Sequence, residues 1–150
     1  MSIDQAFNFR RVSDTIGTAG LLSEDQLGAL KQEGYESVIN LLPDDSEYAI
    51  KGEKELIERQ GLIYTHIPVD FSAPQTSDYR AFETAMNGLC GKKLIIHCAA
   101  NYRVSAFYGI YAHHYHDWSV VRANEFIASV WNPGEHEPWA AFISSLMRLG

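Results

Sequence analysis

Apolar residues recur along this chain with two different spacings, and the two patterns alternate. Short apolar runs rich in β-branched residues are typical of buried strands. Other stretches carry apolar residues three and four positions apart, as one face of a helix requires. The pattern predicts strands over 7–12, 14–20 (a strand or a turn), 37–42, 62–69 and 94–96, and helices over 24–33, 47–60, 78–89, 104–116, 120–130 and 138–149.

This alternation predicts an α/β fold, with a mostly parallel central sheet flanked by helices and right-handed crossovers. We expect a single domain over 1–150, since no repeat or composition shift divides the chain. Ligands of such sheets bind beyond the carboxyl ends of the strands. The residues that follow three predicted strands, Pro43, Asp70 and Cys98, should therefore lie along the same edge.

Local signals mark the ends of several predicted helices. Ser23, followed three residues later by Gln26, forms a capping-box pattern at the start of the first helix, and Gly34 supplies its end. Ser77 is the predicted N-cap of the helix over 78–89.

The segment 98–103 is the strongest chemical signal. Cys98 lies between a buried strand and a helix N-terminus, where free backbone N–H groups and the helix dipole hold anions and favour a thiolate. Arg103 adds a planar set of donors suited to phosphate oxygens. The Ser105 hydroxyl could bond the thiolate or return a proton to it. The alternative interpretation is a structural one, because a cysteine after an apolar strand is most often a small buried side chain.

The sequence HCAANYRVS over 97–105 resembles the His-Cys-loop-Arg-Ser/Thr signature of cysteine-dependent phosphatases of the tyrosine and dual-specificity type. Those enzymes usually have five residues between Cys and Arg, whereas four stand here, from Ala99 to Tyr102. A bacterial branch with four, similar to the phosphatase-like domain of beta-lactamase-hydrolase-like proteins, also resembles this chain over GTAGLLS (17–23), EGYESVINL (33–41) and GLIYTHIPV (61–69). The resemblance covers about residues 10–118.

The resemblance implies a dual-specificity-phosphatase-like fold and hydrolysis of a phosphate monoester through a phosphocysteine, without metal or cofactor. Cys98 would be the nucleophile, Arg103 the phosphate clamp, Asp70 the general acid and Ser105 an assisting hydroxyl. The phosphate-binding loop would comprise Ala99, Ala100, Asn101, Tyr102 and Arg103. Because this loop lacks glycine, Asn101 is the residue best able to adopt a left-handed backbone.

Supporting roles follow from the same resemblance. His97 would orient the cysteine loop by hydrogen bonding, and alternation along the strand should place its side chain on the face opposite Cys98. Asn40 would brace the phosphate loop, or else simply end its strand. Asp78 is the second choice for the acid, although its place at a helix start has an ordinary explanation. A site without a dedicated acid is the third alternative.

Other functions remain open at this stage. A four-residue loop also suits rhodanese-type sulfurtransferases, in which Cys98 would carry a persulfide, and a phosphate- or phosphoprotein-binding domain without turnover is a third option. A metal site at His113 and His116 lacks a completing ligand pattern. Cys90 is expected to be a packing residue, with a resolving role toward oxidised Cys98 as the alternative.

The composition of the chain limits which binding partners and which cellular compartment we expect. A formal charge of −7 argues against nucleic acid or an anionic membrane as the main partner. The substrate that the resemblance implies is a phosphorylated small molecule or a phosphoprotein. Two cysteines make no disulfide scaffold, and the first residues lack the apolar core of a signal peptide. We therefore expect a reducing, cytoplasmic setting, although a trimmed leader would leave the same start. The sequence is silent on oligomeric state.

Overall fold

The structure is a computed structural model that describes residues 2–149. Its centre is a five-stranded sheet flanked by helices on both faces. The strands are β1 (Arg10–Arg11), β2 (Ile16–Ala19), β3 (Ser37–Asn40), β4 (Ile63–His66) and β5 (Leu94–His97). The helices are α1 (Glu24–Gly28), α2 (Glu53–Arg59), α3 (Thr76–Gly88), α4 (Tyr102–Tyr115), α5 (Val120–Ala128) and α6 (Trp139–Arg148), with short 3-10 helices at Ile3–Gln5 and Pro133–Glu135.

The strand order is β1-β2-β5-β3-β4. The pairs β2–β5, β5–β3 and β3–β4 are parallel, and only the short edge strand β1 is antiparallel to its neighbour. The predicted α/β fold with a mostly parallel sheet is confirmed. The last residues of the four parallel strands pair in one row, Ala19, His97, Asn40 and His66. This row is the carboxyl edge at which the sequence places the chemistry.

Side chains of alternate strand residues build two separate cores. Ile39 and Ile96 face a core formed with α3, α4, α5 and α6, whereas Val38 and Ile95 face a smaller core formed with α1 and α2. Helix α4 lies deepest, since every residue from 104 to 112 is buried. A central helix buried to this extent fixes its own N-terminus firmly, and that end lies at the predicted phosphate loop.

Several helix boundaries differ from the predictions. The capping box of Ser23 and Gln26 is present, yet α1 ends at Gly28, and turns continue to Gly34 at φ +90°. The helix predicted over 47–60 begins only at Glu53, because Gly52 adopts a left-handed backbone (φ +78°).

Two helices also begin at residues other than those predicted. The N-cap of α3 is Gln75 rather than Ser77, with the Gln75 N–H donating to Asp78 Oδ2 at 2.9 Å. The central helix α4 begins at Tyr102, earlier than the predicted residue 104, which shortens the connection from β5. The predicted edge strand over 7–12 is reduced to Arg10–Arg11.

Within residues 2–149, every helix is too short or too polar to cross a lipid bilayer.

Candidate active site

The Cys98 loop connects the central strand β5 directly to the buried helix α4. The Cys98 side chain is 0% exposed, and its N–H donates to Ala19 O at 3.3 Å. Asn101 precedes α4 with a left-handed backbone (φ +69°, ψ 5°) and is also 0% exposed. A tight loop without glycine therefore turns at Asn101, the residue that the sequence favours for this conformation.

The N-terminal segment holds the loop from outside. Asn101 Nδ2 donates to Asn8 O at 2.8 Å and to Thr18 Oγ1 at 3.1 Å, and Asn8 Nδ2 donates to Ala100 O at 3.0 Å. A methyl group added at Gly20 would meet Ala99 O at 2.8 Å, so this close approach requires glycine. Sequence reasoning missed this support, because its residues lie far from the loop along the chain.

The loop presents hydrogen-bond donors that the protein itself leaves unused. Among residues 2–149, no backbone carbonyl accepts a hydrogen bond from the N–H groups of Ala99, Ala100 and residues 102–104. The last three belong to the first turn of α4, where an α-helix cannot supply acceptors and its dipole is positive. Unused donors at a helix N-terminus are what an anion-binding site provides.

Arg103 adds a cation beside these donors. Its guanidinium carbon lies 5.3 Å from the centroid of the Phe71 ring. The Arg103 Nε atom is buried without a hydrogen-bond partner in the described part of the chain, and no ion pair forms there either. A buried donor without an acceptor is costly, and an anion in the loop would supply the acceptor.

Asp70 lies in the exposed loop after β4. Its Oδ1 accepts hydrogen bonds from Ser72 Oγ at 2.8 Å and from Ser72 N at 2.9 Å. These two bonds lower the pKa of Asp70, and the positive charge of Arg103 adds a smaller effect in the same direction. Without a bound ligand, this carboxyl is therefore ionised at neutral pH.

An aromatic cluster, made of Phe71, Tyr102, Trp131, His136 and Trp139, joins the Asp70 loop to the cysteine loop. Tyr102 stacks on Trp131, with ring centroids 4.6 Å apart and planes 7° apart. Trp139 Nε1 donates to Phe71 O at 2.7 Å and fixes the residue that follows Asp70. No local signal in the sequence links the C-terminal helices to the site.

Ser105 is engaged elsewhere than predicted. Its buried hydroxyl donates to Tyr102 O at 3.1 Å and accepts from Trp131 Nε1 at 3.1 Å. The described residues show no bond from this hydroxyl to the Cys98 sulfur, and the assisting role of Ser105 stays a prediction. The hydroxyl instead ties the first turn of α4 to the aromatic cluster.

Asn40 does not brace the loop through a hydrogen bond in the described structure. Its Oδ1 accepts from Leu42 N at 2.9 Å, and its Nδ2 donates to Tyr64 Oη at 3.0 Å. The strand-end alternative fits these contacts. Asp78 likewise serves its helix, since it accepts from Gln75 N as the partner of the α3 cap.

His97 forms a buried pair with Glu53. His97 Nε2 lies 2.6 Å from Glu53 Oε2, and the two side chains are 1% and 5% exposed. Glu53 starts α2, on the sheet face opposite the one that Cys98 packs against. The contact fixes the imidazole directly before Cys98. Sequence reasoning missed Glu53, because it lies in a charged segment of the kind that usually faces solvent.

The other candidates have structural contacts. His113 Nδ1 and His114 Nε2 each lie 2.8 Å from a backbone carbonyl, of Trp118 and Leu146 respectively. Across residues 2–149, no group of three or more His, Cys, Asp or Glu side chains is arranged to hold a metal. Cys90 is an exposed free thiol and Cys98 a buried one.

No family model matches this chain. A solved structure from Shewanella putrefaciens CN-32, described as "Putative phosphatase (DUF442)", is 31% identical to it. The match covers 98% of this chain and 95% of the other, with a TM-score of 0.87. The chain belongs to the DUF442 family. Its phosphatase-like fold, implied by the resemblance of the Cys98 segment, is thereby confirmed.

Two more distant structures share the DUF442 chain's fold. Tk-PTP in its active form is 18% identical over 94% of this chain and 97% of its own, with a TM-score of 0.75. TpbA of P. aeruginosa is 14% identical over 95% and 89%, also with a TM-score of 0.75. At these identities the likeness concerns the fold alone.

A curated relative matches part of this DUF442 chain. The beta-lactamase hydrolase-like protein of Xylella fastidiosa is 28% identical over 102 residues, which are 66% of this chain. The chain spans only 23% of the length of that relative. The similarity agrees with the bacterial branch that the sequence resembles.

Proposed function

We propose that this DUF442 protein hydrolyses a phosphate monoester, with Cys98 as nucleophile and a phosphocysteine as intermediate. The observation that carries the proposal is the set of unused donors directly after Cys98. Five backbone N–H groups and the buried Arg103 Nε have no protein acceptor in the part described. A tetrahedral phosphate has the oxygens to satisfy them, and the developing charge of a phosphoryl transfer is what such donors stabilise.

The first chemical step follows from this arrangement. The phosphate oxygens bind the loop N–H groups and Arg103, and the Cys98 thiolate attacks phosphorus from the loop side. A sulfur–phosphorus bond forms while the bond from phosphorus to the ester oxygen breaks. The leaving oxygen takes a proton from Asp70 on the opposite side.

The second step restores the enzyme. Asp70, now a carboxylate, accepts a proton from a water that attacks the phosphocysteine. The sulfur–phosphorus bond breaks, inorganic phosphate leaves, and Cys98 becomes a thiolate again. No step calls for a metal or an organic cofactor.

Asp70 needs a change of environment to act as the acid. Its pKa is lowered in the free protein, mainly by Ser72. A phosphate dianion bound beside it opposes ionisation of the carboxyl, since a nearby like charge raises a carboxyl pKa. Binding of the substrate would therefore favour uptake of a proton by Asp70, which holds it until the leaving oxygen requires it.

The test is hydrolysis of an aryl phosphate by the native protein, Cys98→Ser and Asp70→Asn. We expect no turnover by the serine variant and a strongly reduced rate for the asparagine variant, with phosphate binding retained in both. A serine variant as active as the native protein would overturn the cysteine mechanism. Inactivity toward phosphates with sulfur transfer from thiosulfate to cyanide would establish the sulfurtransferase alternative. Phosphate binding with neither activity would establish a binding domain.

A further inference from the structure

The half-buried His136 lies in the aromatic cluster, beside both loops of the proposed site. Its ring centroid is 5.6 Å from that of Phe71, 5.8 Å from that of Tyr102 and 5.5 Å from that of Trp131. Phe71 follows Asp70, and Tyr102 precedes Arg103. The imidazole therefore packs between the residues adjacent to the proposed acid and the proposed clamp.

The imidazole of His136 lacks a polar partner. Four other histidines have a ring nitrogen within hydrogen-bond distance of a protein oxygen: His66, His97, His113 and His114. No such contact involves His136 among residues 2–149, although three aromatic rings hold it in place. A positioned imidazole without a partner is available to a ligand.

The Phe71 ring connects His136 to the phosphate clamp. The centroid of the Phe71 ring lies 5.3 Å from the Arg103 guanidinium carbon and 5.6 Å from the centroid of the His136 ring. The acid loop and the cysteine loop meet at this ring. In the proposed mechanism Asp70 protonates the leaving oxygen, so His136 packs against the loop that would lie beside the leaving group.

The chemistry of the neighbouring groups leaves a role for a donor here. The Asp70 carboxyl is held ionised in the free protein and already accepts two bonds from Ser72. An imidazole carries at least one ring N–H in either charge state, so it can donate at any working pH.

We propose that His136 is a further catalytic residue, whose ring N–H donates a hydrogen bond to the ester oxygen of the bound phosphate monoester. The bond strengthens as negative charge grows on the leaving oxygen, and it contributes beside the proton supplied by Asp70. The inference rests on the proposed phosphatase function. It favours substrates with poor leaving groups, because these develop the most charge on that oxygen.

The test compares His136→Phe, which keeps a ring in the cluster, with His136→Gln, which keeps an N–H donor. For phenyl phosphate we expect His136→Phe to lose about ten- to hundredfold in kcat/KM, the range of one bond to a charged group. The loss should be much smaller for 4-nitrophenyl phosphate, and His136→Gln should restore most of the activity. If the role of His136 were merely structural, kcat/KM would fall equally for both substrates.

His116→Phe is the matched control, because His116 is exposed at the opposite end of α4. Equal kcat/KM values for native protein and His136→Phe on both substrates would overturn the inference. The proposed function would still stand if Cys98→Ser were inactive in the same assay, so the two failures are distinguishable.

A second readout does not depend on turnover. Inorganic phosphate is titrated into Cys98→Ser while the histidine ring resonances are followed by NMR. We expect the His136 resonances to move with the same saturation curve as phosphate binding measured by calorimetry, and those of His116 to stay. Saturated phosphate binding with unmoved His136 resonances would overturn the inference, and no phosphate binding would overturn it together with the proposed function.

Discussion

Asn101 donates a hydrogen bond to Asn8, and this contact is one of two that join the cysteine loop to the N-terminal segment. Asn101 Nδ2 donates to Asn8 O at 2.8 Å, and Asn8 Nδ2 donates to Ala100 O at 3.0 Å. The pair holds a loop that has no glycine and turns on one left-handed residue. Residues distant in sequence therefore keep the loop N–H groups open to a ligand.

Asn101→Ala should lower both stability and phosphate binding. The change removes two hydrogen bonds of a fully buried side chain and places alanine in a left-handed backbone, so we expect a loss of about 2–4 kcal/mol in the free energy of unfolding. Asn101→Gly is the control, since it keeps the backbone freedom and should lose about half as much. Urea denaturation measures both, and equal losses would contradict the importance of the left-handed turn.

Gly20→Ala should disturb the loop without touching its residues. The added methyl group would lie 2.8 Å from Ala99 O, so the loop must shift. We expect kcat/KM for an aryl phosphate to fall about ten- to hundredfold, as small misplacements of a site do. Gly88→Ala is the matched control because no atom lies within 4 Å of its added methyl. Unchanged activity in Gly20→Ala would show that this contact does not determine the position of the loop.

Arg103→Lys should weaken phosphate binding although the charge is kept. Lysine lacks the Nε donor, which is buried and unpartnered in Arg103, and it lacks the planar pair of donors for two phosphate oxygens. We expect the Kd for inorganic phosphate, measured by calorimetry, to rise about tenfold to hundredfold. Arg80→Lys, at an exposed position on α3, should leave the Kd unchanged. Equal affinities for both variants would place the phosphate elsewhere.

The pH dependence of kcat/KM should report Asp70. A general acid must be protonated, so activity falls as the pH rises through its pKa, which the Ser72 bonds lower. Ser72→Ala removes the hydroxyl bond to the carboxylate and raises the pKa of Asp70. The basic limb of the profile should therefore move to higher pH in Ser72→Ala and be missing in Asp70→Asn. A limb unmoved by either change would exclude Asp70 as the acid.

Much of the fold could be predicted from local sequence. The apolar runs marked β3 and β5, because buried strands need continuous hydrophobic residues. The order of strands and helices predicted a mostly parallel sheet, which placed Cys98 and Asp70 at one edge. These signals survive in sequence because the residues that produce them are neighbours along the chain.

The supporting parts of the site could not be predicted in this way. Glu53 is buried against His97 although its neighbours in sequence are charged and exposed. Asn8 and Asn101 are 93 positions apart, and Trp139 reaches Phe71 across 68. Such pairs are determined by tertiary packing, and no periodicity or spacing in a single sequence predicts them.

The most direct test of the central claim is to trap the covalent intermediate. Asp70→Asn is mixed with an aryl phosphate, quenched in acid within the first turnover and digested, and the peptide containing Cys98 is examined by mass spectrometry. We predict one added phosphoryl group on Cys98, absent when Cys98 is also changed to Ser. Turnover of the ester with no phosphoryl group on Cys98 at any quench time would contradict the phosphocysteine mechanism.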